Sequence, residues 1–443
     1  MKIRMDYDYF KYKLIMKEMS DLKLNAKQKI AWNIINNGEN IFITGPGGTG
    51  KTEIIKLYKK KNNNKKLIGV TSLTGVSAVL INGTTVHSFL GIGLGTSSVD
   101  VLISKILSKS YLKKRWKNLS TLIIDEISMM DPDLFDKIEE IARKIRNNEE
   151  PFGGIQLVLS GDFCQLPVVK KKEYCFEAKS WNNCVKNIVC FDEIIRQTDK
   201  ELQTCLNNIR MGNITQNDKD LLNSRVGVKL ENNNGIKPTQ FSATNDQVNE
   251  INEKEINILA ENGSEFYEYE MKVEIFDNSS DKKYLIDKYM KDIPVVEKLE
   301  LCIDVQVMLL HNLSIENGLV NGSRGVVVKF IEDKPVVRFL NGEEIVIDFH
   351  TWEIENNNEV VMSICQIPLK LGYAFTHHKS QGLTLDYAII DIGNCFCYGQ
   401  AYTALSRVKE LKGLSIKRLD FNKIKCNAKV LNFYKNLEKN KHI

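Results

Sequence analysis

Short apolar runs alternate with helix-like segments through the first half of the chain. The runs NIFITG, KLIGVTS, TLIIDE and IQLVLSGD are β-rich, and each is followed by turn or helix signals. Their hydrophobicity is continuous rather than alternating, which is typical of strands that are covered on both faces. The pattern therefore predicts an α/β fold with a doubly wound parallel sheet that extends to about residue 190.

The second half of the chain combines two patterns. The segments PTQFSAT, DYAIIDIG and GLSIKRL predict the strands of a second α/β domain. Between residues 299 and 365, the segments VQVMLL, RGVVVKF, KPVVRFLNG and EEIVIDF indicate successive short antiparallel strands. We interpret this stretch as a small β-barrel inserted into the second domain. The predicted boundaries are 1–190 for the first domain, 191–298 and 366–443 for the second, and 299–365 for the barrel.

Length and composition fit a multidomain intracellular protein. The 443 residues exceed a single hydrophobic core, and the 43% hydrophobic and 26% charged residues are ordinary for a soluble chain. No apolar run approaches the ~18 residues that span a bilayer, and the N-terminus lacks the apolar core of a secretory signal. The ten cysteines include no CxxC pair, which favours reduced thiols. We expect a soluble protein without membrane contact, in the nucleus, the mitochondrion or a viral replication site.

The net charge of +5 leaves the class of partner open. Nucleic-acid binding depends on local positive potential, so a mildly basic chain neither requires nor excludes such a partner.

A glycine-rich loop, GPGGTGKT, stands between the apolar run IFIT and a helix-like segment. GxxxxGKT in this context is a phosphate-binding loop, whose backbone N–H groups and helix N-terminus face phosphate oxygens. Lys51 is predicted to reach the β- and γ-phosphates, and Thr52 to ligate Mg²⁺ through its hydroxyl. The predicted nucleotide-binding residues of this loop are Gly45, Pro46, Gly47, Gly48, Thr49, Gly50, Lys51 and Thr52.

Two further strands end in candidate catalytic residues. TLIIDE ends in Asp125 and Glu126, at the carboxyl edge where a parallel sheet places its chemistry. Asp125 is predicted to hold the Mg²⁺ shell and Glu126 to polarise the attacking water. IQLVLSGD leads to Gln165, whose neutral amide can contact the γ-phosphate or water without adding repulsive charge. Taken alone, Gln165 fits a loop cap equally well.

The segment LIIDEISMMDPDLFDKIEEIARKIR, followed by PFGGIQLVLSGDFCQLP, resembles the signature of the PIF-one (petite integration frequency) helicases. These are RecD-like DNA helicases of superfamily 1B, and the resemblance extends from about residue 24 to residue 419. It implies two tandem RecA-like P-loop motor domains, a small wedge insertion at about 90–118 and an SH3-like β-barrel. It also implies ATP and Mg²⁺ as cofactors, and 5′→3′ translocation on single-stranded DNA that unwinds duplexes in replication, repair, recombination or telomere maintenance.

The same resemblance assigns roles to residues outside the phosphate loop. LNAKQKIAWNII points to Gln28 as the adenine contact, and IIRQ and ALSRV place Arg196 and Arg407 on the γ-phosphate from the second domain. A guanidinium delivered from another domain stabilises transition-state charge only when the cleft between the domains closes. Gly382, within HHKSQG, is implied as a further nucleotide contact.

Nucleic-acid contacts are implied in both motor domains. Hydroxyls, amides and backbone N–H groups suit a track that holds phosphates without reading the base sequence. Phe89 is expected either to stack on or wedge between bases, or to belong to the hydrophobic core. The implied contacts are Thr71, Thr74, Gly75, His87, Ser88 and Phe89 in the first domain, and Asn245, His378, Lys379 and Ser380 in the second.

Other functions stay open at this point. The same parts would serve a single-strand translocase or an RNA helicase, and a binding module that does not hydrolyse nucleotide would share the loop. Five intact residues argue against the module, because each serves hydrolysis: Lys51, Glu126, Gln165, Arg196 and Arg407. We expect a monomeric motor that acts on single-stranded DNA and on duplex/single-strand junctions, with RNA–DNA hybrids and G-quadruplexes as further candidates.

Overall fold

A parallel sheet forms the centre of the first domain. The computed structural model describes residues 24–62, 66–168, 172–230, 235–242, 244–276, 295–311, 313–314, 319, 322–356, 359–377 and 383–439. The strands of this sheet are β1 (Ile41–Thr44), β2 (Ile68–Ser72), β3 (Thr84–Thr85), β4 (Thr121–Asp125), β5 (Gln156–Ser160) and β6 (Asn187–Cys190). They lie in the order β3-β2-β4-β5-β1-β6, and every pairing is parallel. The predicted doubly wound sheet is confirmed, and the four predicted apolar runs form β1, β2, β4 and β5.

Helices cover both faces of this sheet, and helix Pro132–Arg146 illustrates why they form where they do. Asp131 caps it by accepting the Asp133 N–H, and Pro132 occupies the first position, where a missing N–H costs nothing. The two helices that lie in the predicted wedge insertion pack against it. The described first-domain helices are Ala26–Asn36, Lys51–Asn62, Gly75–Leu80, Val86–Leu90, Val99–Leu107, Ser110–Asn118, Pro132–Arg146 and Trp181–Cys184.

The second domain and its insertion contain the other described strands. They are β7 (Thr239–Ser242), β8 (Tyr267–Glu270), β9 (Lys272–Ile275), β10 (Lys298–Leu301), β11 (Gln306–Leu309), β12 (Arg324–Ile331), β13 (Lys334–Phe339), β14 (Glu344–Val346), β15 (His350–Asn356), β16 (Glu359–Gln366), β17 (Leu369–Leu371), β18 (Ala374–Thr376), β19 (Ala388–Asp391) and β20 (Leu414–Arg418). A parallel sheet of order β18-β7-β19-β20 confirms the second α/β domain. Its described helices are Lys200–Arg210, Gln216–Asn223, Asn245–Glu261 and Gln400–Leu405. In the described parts of the chain, no helix is both long and apolar enough to cross a bilayer.

The β-rich insertion is wider than the predicted 299–365. An antiparallel sheet of order β14-β13-β12-β11-β17 forms its centre, β8 pairs with β10, and β9 pairs with β16. Tyr269 and Tyr373 are buried in the same core as Leu301 and Val327, so residues on both sides of the predicted limits belong to it. The early strands YEYE and KVEI alternate with charged residues, which is why their hydrophobic signal is weak.

The last described helix, Ala428–Lys439, returns to the first domain. It follows β20 in the chain, yet Val430 and Tyr434 are buried in the first-domain core. The rings of Phe163 and Phe433 lie 5.6 Å apart at this contact. In contrast to the predicted boundary, this helix packs with the first domain rather than with the second.

Candidate nucleotide and nucleic-acid site

The phosphate loop connects the end of β1 to helix Lys51–Asn62. Gly48 and Gly50 adopt left-handed φ values of +81° and +83°, which glycine tolerates because it has no Cβ. A Cβ added at Gly48 would lie only 2.5 Å from the Cβ of Arg196. The Gly48 carbonyl accepts the N–H groups of Ile195 and Arg196 at 2.8 and 3.1 Å. The loop therefore fits phosphate on one side and the segment that carries Arg196 on the other.

Lys51 lies across the phosphate loop. Its Nζ donates to the carbonyl oxygens of Gly45 and Pro46, at 2.8 Å each. Burial lowers the pKa of Lys51, and the carboxylates of Asp162 and Glu126 act in the opposite direction. Phosphate oxygens can replace the two carbonyl acceptors, so the amine has the position expected of a β/γ-phosphate contact.

Asp125 and Thr52 bring a carboxylate and a hydroxyl together at the carboxyl edge of the sheet. Thr52 Oγ1 donates to Asp125 Oδ2 at 3.3 Å. Burial raises the pKa of Asp125, because a carboxylate held away from water loses hydration. A divalent cation takes oxygen ligands of this kind and would restore a counter-charge, so the pair fits Mg²⁺. Glu126 follows β4 with a left-handed φ of +56° and lines the same cavity.

Gln165 and Arg407 meet across the two domains. Arg407 Nη2 donates to Gln165 Oε1 at 3.2 Å, and both side chains are buried. The guanidinium is also fixed within its own domain, where Nε donates to the Thr403 carbonyl at 2.8 Å and Nη2 to Ser406 Oγ at 3.0 Å. Burial lowers the pKa of Arg407. The structure thus brings two residues predicted from separate motifs into direct contact.

Arg196 lies beside Arg407 at the same cleft. Its Nη1 donates to the Ser406 carbonyl at 3.1 Å. Burial and the neighbouring charge of Arg407 lower the pKa of Arg196 to about 9. Two guanidiniums without an anion between them repel each other, so this arrangement favours a bound anion.

A cavity of about 1010 Å³ unites these groups. Its lining includes the phosphate loop, Asp125, Glu126 and Gln165 from the first domain, and Arg407 from the second. Most of the lining groups carry charge or hydrogen-bonding capacity, so the cavity suits a polyanionic ligand better than an apolar one.

Gln28 lies next to the loop, at the start of helix Ala26–Asn36. It forms a capping box with Asn25, and its Nε2 donates to the Thr49 carbonyl at 3.2 Å. A Cβ at Gly50 would lie 2.7 Å from this Nε2 atom. The side chain is therefore held against the nucleotide loop, and its role as adenine contact stays a prediction.

Tyr402 is a site residue that the sequence did not single out. Its buried hydroxyl, on helix Gln400–Leu405, accepts the Gly47 N–H at 2.9 Å and so joins the second domain to the phosphate loop. It precedes Arg407 within AYTALSRV, so the motif that revealed the arginine also contained the signal for the tyrosine.

A buried polar cluster adjoins the site and was also missed. Arg210 Nε and Nη2 donate to the two carboxylate oxygens of Asp162 at 2.9 and 2.8 Å, and the Tyr434 hydroxyl donates to Asp162 Oδ1 at 3.0 Å. The side chains of Arg210 and Asp162 are 8% and 0% exposed. The three residues come from distant segments, so no local pattern could have joined them.

The predicted nucleic-acid contacts of the first domain follow β2 and β3. Thr74, Gly75, His87 and Ser88 are partly exposed there. Thr74 Oγ1 donates to Ser77 Oγ at 2.9 Å at the start of helix Gly75–Leu80. The four residues keep polar groups near the surface, as a strand contact requires, and that role stays a prediction.

The position of Thr71 differs from the predicted one. It is 0% exposed, and its hydroxyl donates to the Ile123 carbonyl at 2.7 Å inside the sheet. The prediction that Thr71 touches a nucleic-acid strand is wrong for this conformation, because the neighbouring strand β4 already satisfies the hydroxyl.

Phe89 takes part in packing. A Cβ at Gly69 would lie 2.4 Å from its ring, and the guanidinium carbon of Arg115 lies 4.8 Å from the ring centroid. Arg115 Nη1 also donates to the Phe89 carbonyl at 2.7 Å. These contacts favour the core alternative, and stacking on a base stays a prediction.

The predicted contacts of the second domain are only partly placed. Asn245 is exposed at the start of helix Asn245–Glu261, which Thr244 caps. His378, Lys379, Ser380 and Gly382 lie outside the described residues.

Known proteins share the sequence and the fold of this chain. Residues 23–220 match the family described as PIF1-like helicase, and residues 291–330 match the 2B domain of DNA helicase Pif1. A relative from Xenopus laevis, ATP-dependent DNA helicase PIF1, is 38% identical over 94% of this chain. The chain spans 65% of the length of that relative.

Two solved structures share the fold over almost the whole chain. The crystal structure of Pif1 helicase from Candida albicans is 33% identical with a TM-score of 0.78, and the match covers 94% of this chain and 99% of that one. Pif1 helicase from Bacteroides in complex with ADP-AlF3 and ssDNA is 30% identical with a TM-score of 0.68, covering 95% and 98% of the two chains. With the two parallel-sheet α/β domains described above, these matches show that the chain belongs to the PIF1-like family of ATP-dependent DNA helicases.

Proposed function

We propose that this chain couples ATP hydrolysis in the interdomain cleft to movement along single-stranded DNA, and that the movement unwinds duplexes. The observation that carries the proposal is the 3.2 Å contact between Arg407 of the second domain and Gln165 of the first. Both side chains line the cavity that contains the phosphate loop, where each could contact a bound phosphate group. Closure of the domains and stabilisation of the transition state then become one event, which is what a motor needs.

Each group in the cleft has a task in this proposal. Lys51 and the loop hold the phosphates, Glu126 polarises the attacking water, and Gln165 detects the γ-phosphate. Arg196 and Arg407 stabilise the charge that develops on the transferred phosphoryl group. Even with its lowered pKa of about 9, Arg196 is protonated at neutral pH. A phosphate between the two guanidiniums removes their mutual repulsion, so nucleotide binding favours the closed cleft.

Mg²⁺ is the proposed metal cofactor. Thr52 and Asp125 would hold it, because their oxygens already lie 3.3 Å apart at the end of the phosphate loop. When bound, the ion supplies positive charge to the phosphate oxygens.

Single-stranded DNA and its junctions with duplex are the proposed substrates. The Bacteroides relative bound to ADP-AlF3 and ssDNA supports this assignment. We propose Thr74, Gly75, His87 and Ser88 as contacts in the first domain and Asn245 in the second. The proposed polarity, 5′→3′, and the monomeric state rest on resemblance to the family.

The test is ATP-driven unwinding of 5′-tailed, 3′-tailed and RNA-tailed duplexes, run beside ATPase assays with and without single strands. Lys51→Ala and Arg407→Ala should each abolish unwinding, because one removes the phosphate grip and the other the interdomain charge. ATPase activity that is indifferent to single strands would contradict the motor function. Unwinding from 3′ tails alone would contradict the polarity, and a preference for RNA tails would favour an RNA helicase.

A matched control removes a lysine remote from the cleft. Lys186 is exposed directly before β6, at the amino ends of the parallel strands, whereas the phosphate loop follows the carboxyl end of β1. Its Nζ donates to the Asn182 carbonyl. Lys186→Ala should leave hydrolysis and unwinding unchanged, which separates loss of a specific lysine from loss of positive charge.

A further inference from the structure

The hydroxyl of Tyr434 lies at the junction of two parts of the nucleotide site. It donates its proton to Asp162 Oδ1 at 3.0 Å, so its oxygen accepts from the Phe163 N–H at 3.1 Å and from Thr44 Oγ1 at 2.7 Å. Thr44 is the last residue of β1, directly before the phosphate loop. Phe163 belongs to the short segment 162–165, which ends in Gln165. One buried hydroxyl therefore connects the strand of the phosphate loop to the segment that detects γ-phosphate.

Arg210 attaches the same segment to the second domain. Its guanidinium grips both carboxylate oxygens of Asp162, and its central carbon lies 4.6 Å from the ring centroid of Tyr434. Burial alone would raise the pKa of Asp162, but the charge and hydrogen bonds of Arg210, together with Lys51 and the Cys164 N–H, outweigh burial and hold that pKa below its usual value. The carboxylate is therefore ionised at neutral pH and keeps the second domain bound to the segment.

Asp162 in turn fixes the backbone that leads to Gln165. Its carboxylate accepts the Cys164 N–H at 3.1 Å, and its carbonyl accepts the Gln165 N–H at 2.9 Å. Displacing Asp162 would displace this turn, and with it the amide of Gln165 that meets Arg407.

We propose that Tyr434 and Arg210 are positioning residues for ATP hydrolysis, which hold segment 162–165 so that Gln165 is aligned with both the phosphate loop and Arg407. The proposal rests on the proposed ATPase function. Neither residue lines the described cavity, so each acts through Gln165 rather than on the nucleotide. The helix Ala428–Lys439 thereby becomes a working part of the nucleotide site.

Tyr434→Phe tests this with a minimal change, because the ring and its packing remain and only the hydroxyl is lost. The Phe163 N–H and the Asp162 carboxylate each lose a partner. We expect kcat for strand-stimulated hydrolysis to fall about tenfold, the change that corresponds to one hydrogen bond. KM for ATP should change less than about twofold, because the phosphate contacts of the loop are intact.

Tyr58→Phe is the matched control. Tyr58 is also buried in the first domain, and its hydroxyl donates to Gln156 Oε1 at 3.2 Å. Gln156 is the first residue of β5, so this contact lies at the amino ends of the strands, away from segment 162–165. Both variants lose a buried tyrosine hydroxyl bond, so both should lower the unfolding temperature. Only Tyr434→Phe should lower kcat, and an equal loss in the two variants would overturn the positioning role.

A double variant shows whether Tyr434 acts through Gln165. In a Gln165→Ala background, adding Tyr434→Phe should reduce kcat by less than about twofold further, because the aligned group is already gone. Losses that multiply would show that Tyr434 acts by another route.

Hydrogen exchange supplies a readout that does not need activity. Tyr434→Phe and Arg210→Lys should speed amide exchange in a peptide covering 160–168, since the Phe163 N–H loses its acceptor or Asp162 loses its paired contact. Tyr58→Phe should not change that peptide. Unchanged amide exchange in both Tyr434→Phe and Arg210→Lys would refute the proposal. A wild-type protein without strand-stimulated ATPase would instead contradict the proposed function, and the exchange result would still decide on positioning.

Discussion

Gly48→Ala should separate Arg196 from the phosphate loop. An added Cβ would lie 2.5 Å from the Cβ of Arg196, about 1 Å closer than the ~3.5 Å of an ordinary carbon contact. The obstructing atom is the first of the side chain, so rotation of the arginine cannot relieve the clash. Either the loop or the segment that carries Arg196 must move by about 1 Å, and misplacement of that size costs about 100-fold in rate.

The substitution also carries a backbone cost, which a control can isolate. Gly38→Ala has the same left-handed conformation, with φ of +82°, but an added Cβ there meets nothing within 4 Å. Both variants should lose roughly 1–2 kcal/mol of stability from the left-handed backbone. Only Gly48→Ala adds the clash with Arg196.

The assay is steady-state ATP hydrolysis with saturating single-stranded DNA, together with ADP affinity. We expect kcat to fall about 100-fold in Gly48→Ala and less than about twofold in Gly38→Ala, with ADP affinity within about threefold in both. Adding Arg196→Ala to Gly48→Ala should cost little more, because the arginine is already displaced. Equal kcat values in the two glycine variants would refute the reasoning.

Three more outcomes follow from the structure. Arg407→Ala should lower the rate of single-turnover hydrolysis by about 10³-fold. When it is combined with Gln165→Ala, the rate should fall by less than the product of the two single effects. Losses that multiply would show that the 3.2 Å contact between the two side chains has no role. The pKa of Asp162 is lower in the folded protein than in the unfolded chain, so its ionised carboxylate stabilises the fold at pH values above the unfolded-state pKa. That contribution is lost as the pH falls through the lowered, folded-state pKa. The difference in unfolding temperature between wild type and Asp162→Asn should therefore shrink from about pH 6 to about pH 3, whereas a constant difference would contradict the assignment. Phe89→Leu should lower the unfolding temperature with little change in affinity for single strands, since the ring packs under Arg115; lost affinity at unchanged stability would instead assign base stacking to Phe89.

The sequence was most informative where one strand and one turn contain the whole signal. The runs that became β1 and β4 are buried at every residue, so their continuous hydrophobicity predicted both the strand and its covered faces. The glycine spacing of the phosphate loop is equally local. Asp125 and Glu126 follow from the same logic, because a parallel sheet collects strand ends at one edge.

Tertiary contacts between distant segments could not be predicted from the sequence. Arg210 and Tyr434 look like ordinary helix residues. Packing of helix Lys200–Arg210 brings Arg210 to Asp162, and the return of the last helix brings Tyr434 there. Thr71 resembled an exposed polar contact until the neighbouring strand covered it. The outer strands of the insertion were missed because their alternating charges fit a solvated sheet face as well as a loop.

The return of helix Ala428–Lys439 has a consequence for synthesis of the protein. A ribosome completes the phosphate loop and segment 162–165 long before it makes this helix, so the first domain emerges with part of its core uncovered. The hydroxyl of Tyr434 reaches Thr44 and Asp162 only after the second domain and its insertion have been translated. Nascent chains therefore lack these contacts of the Tyr434 hydroxyl until translation has passed residue 434.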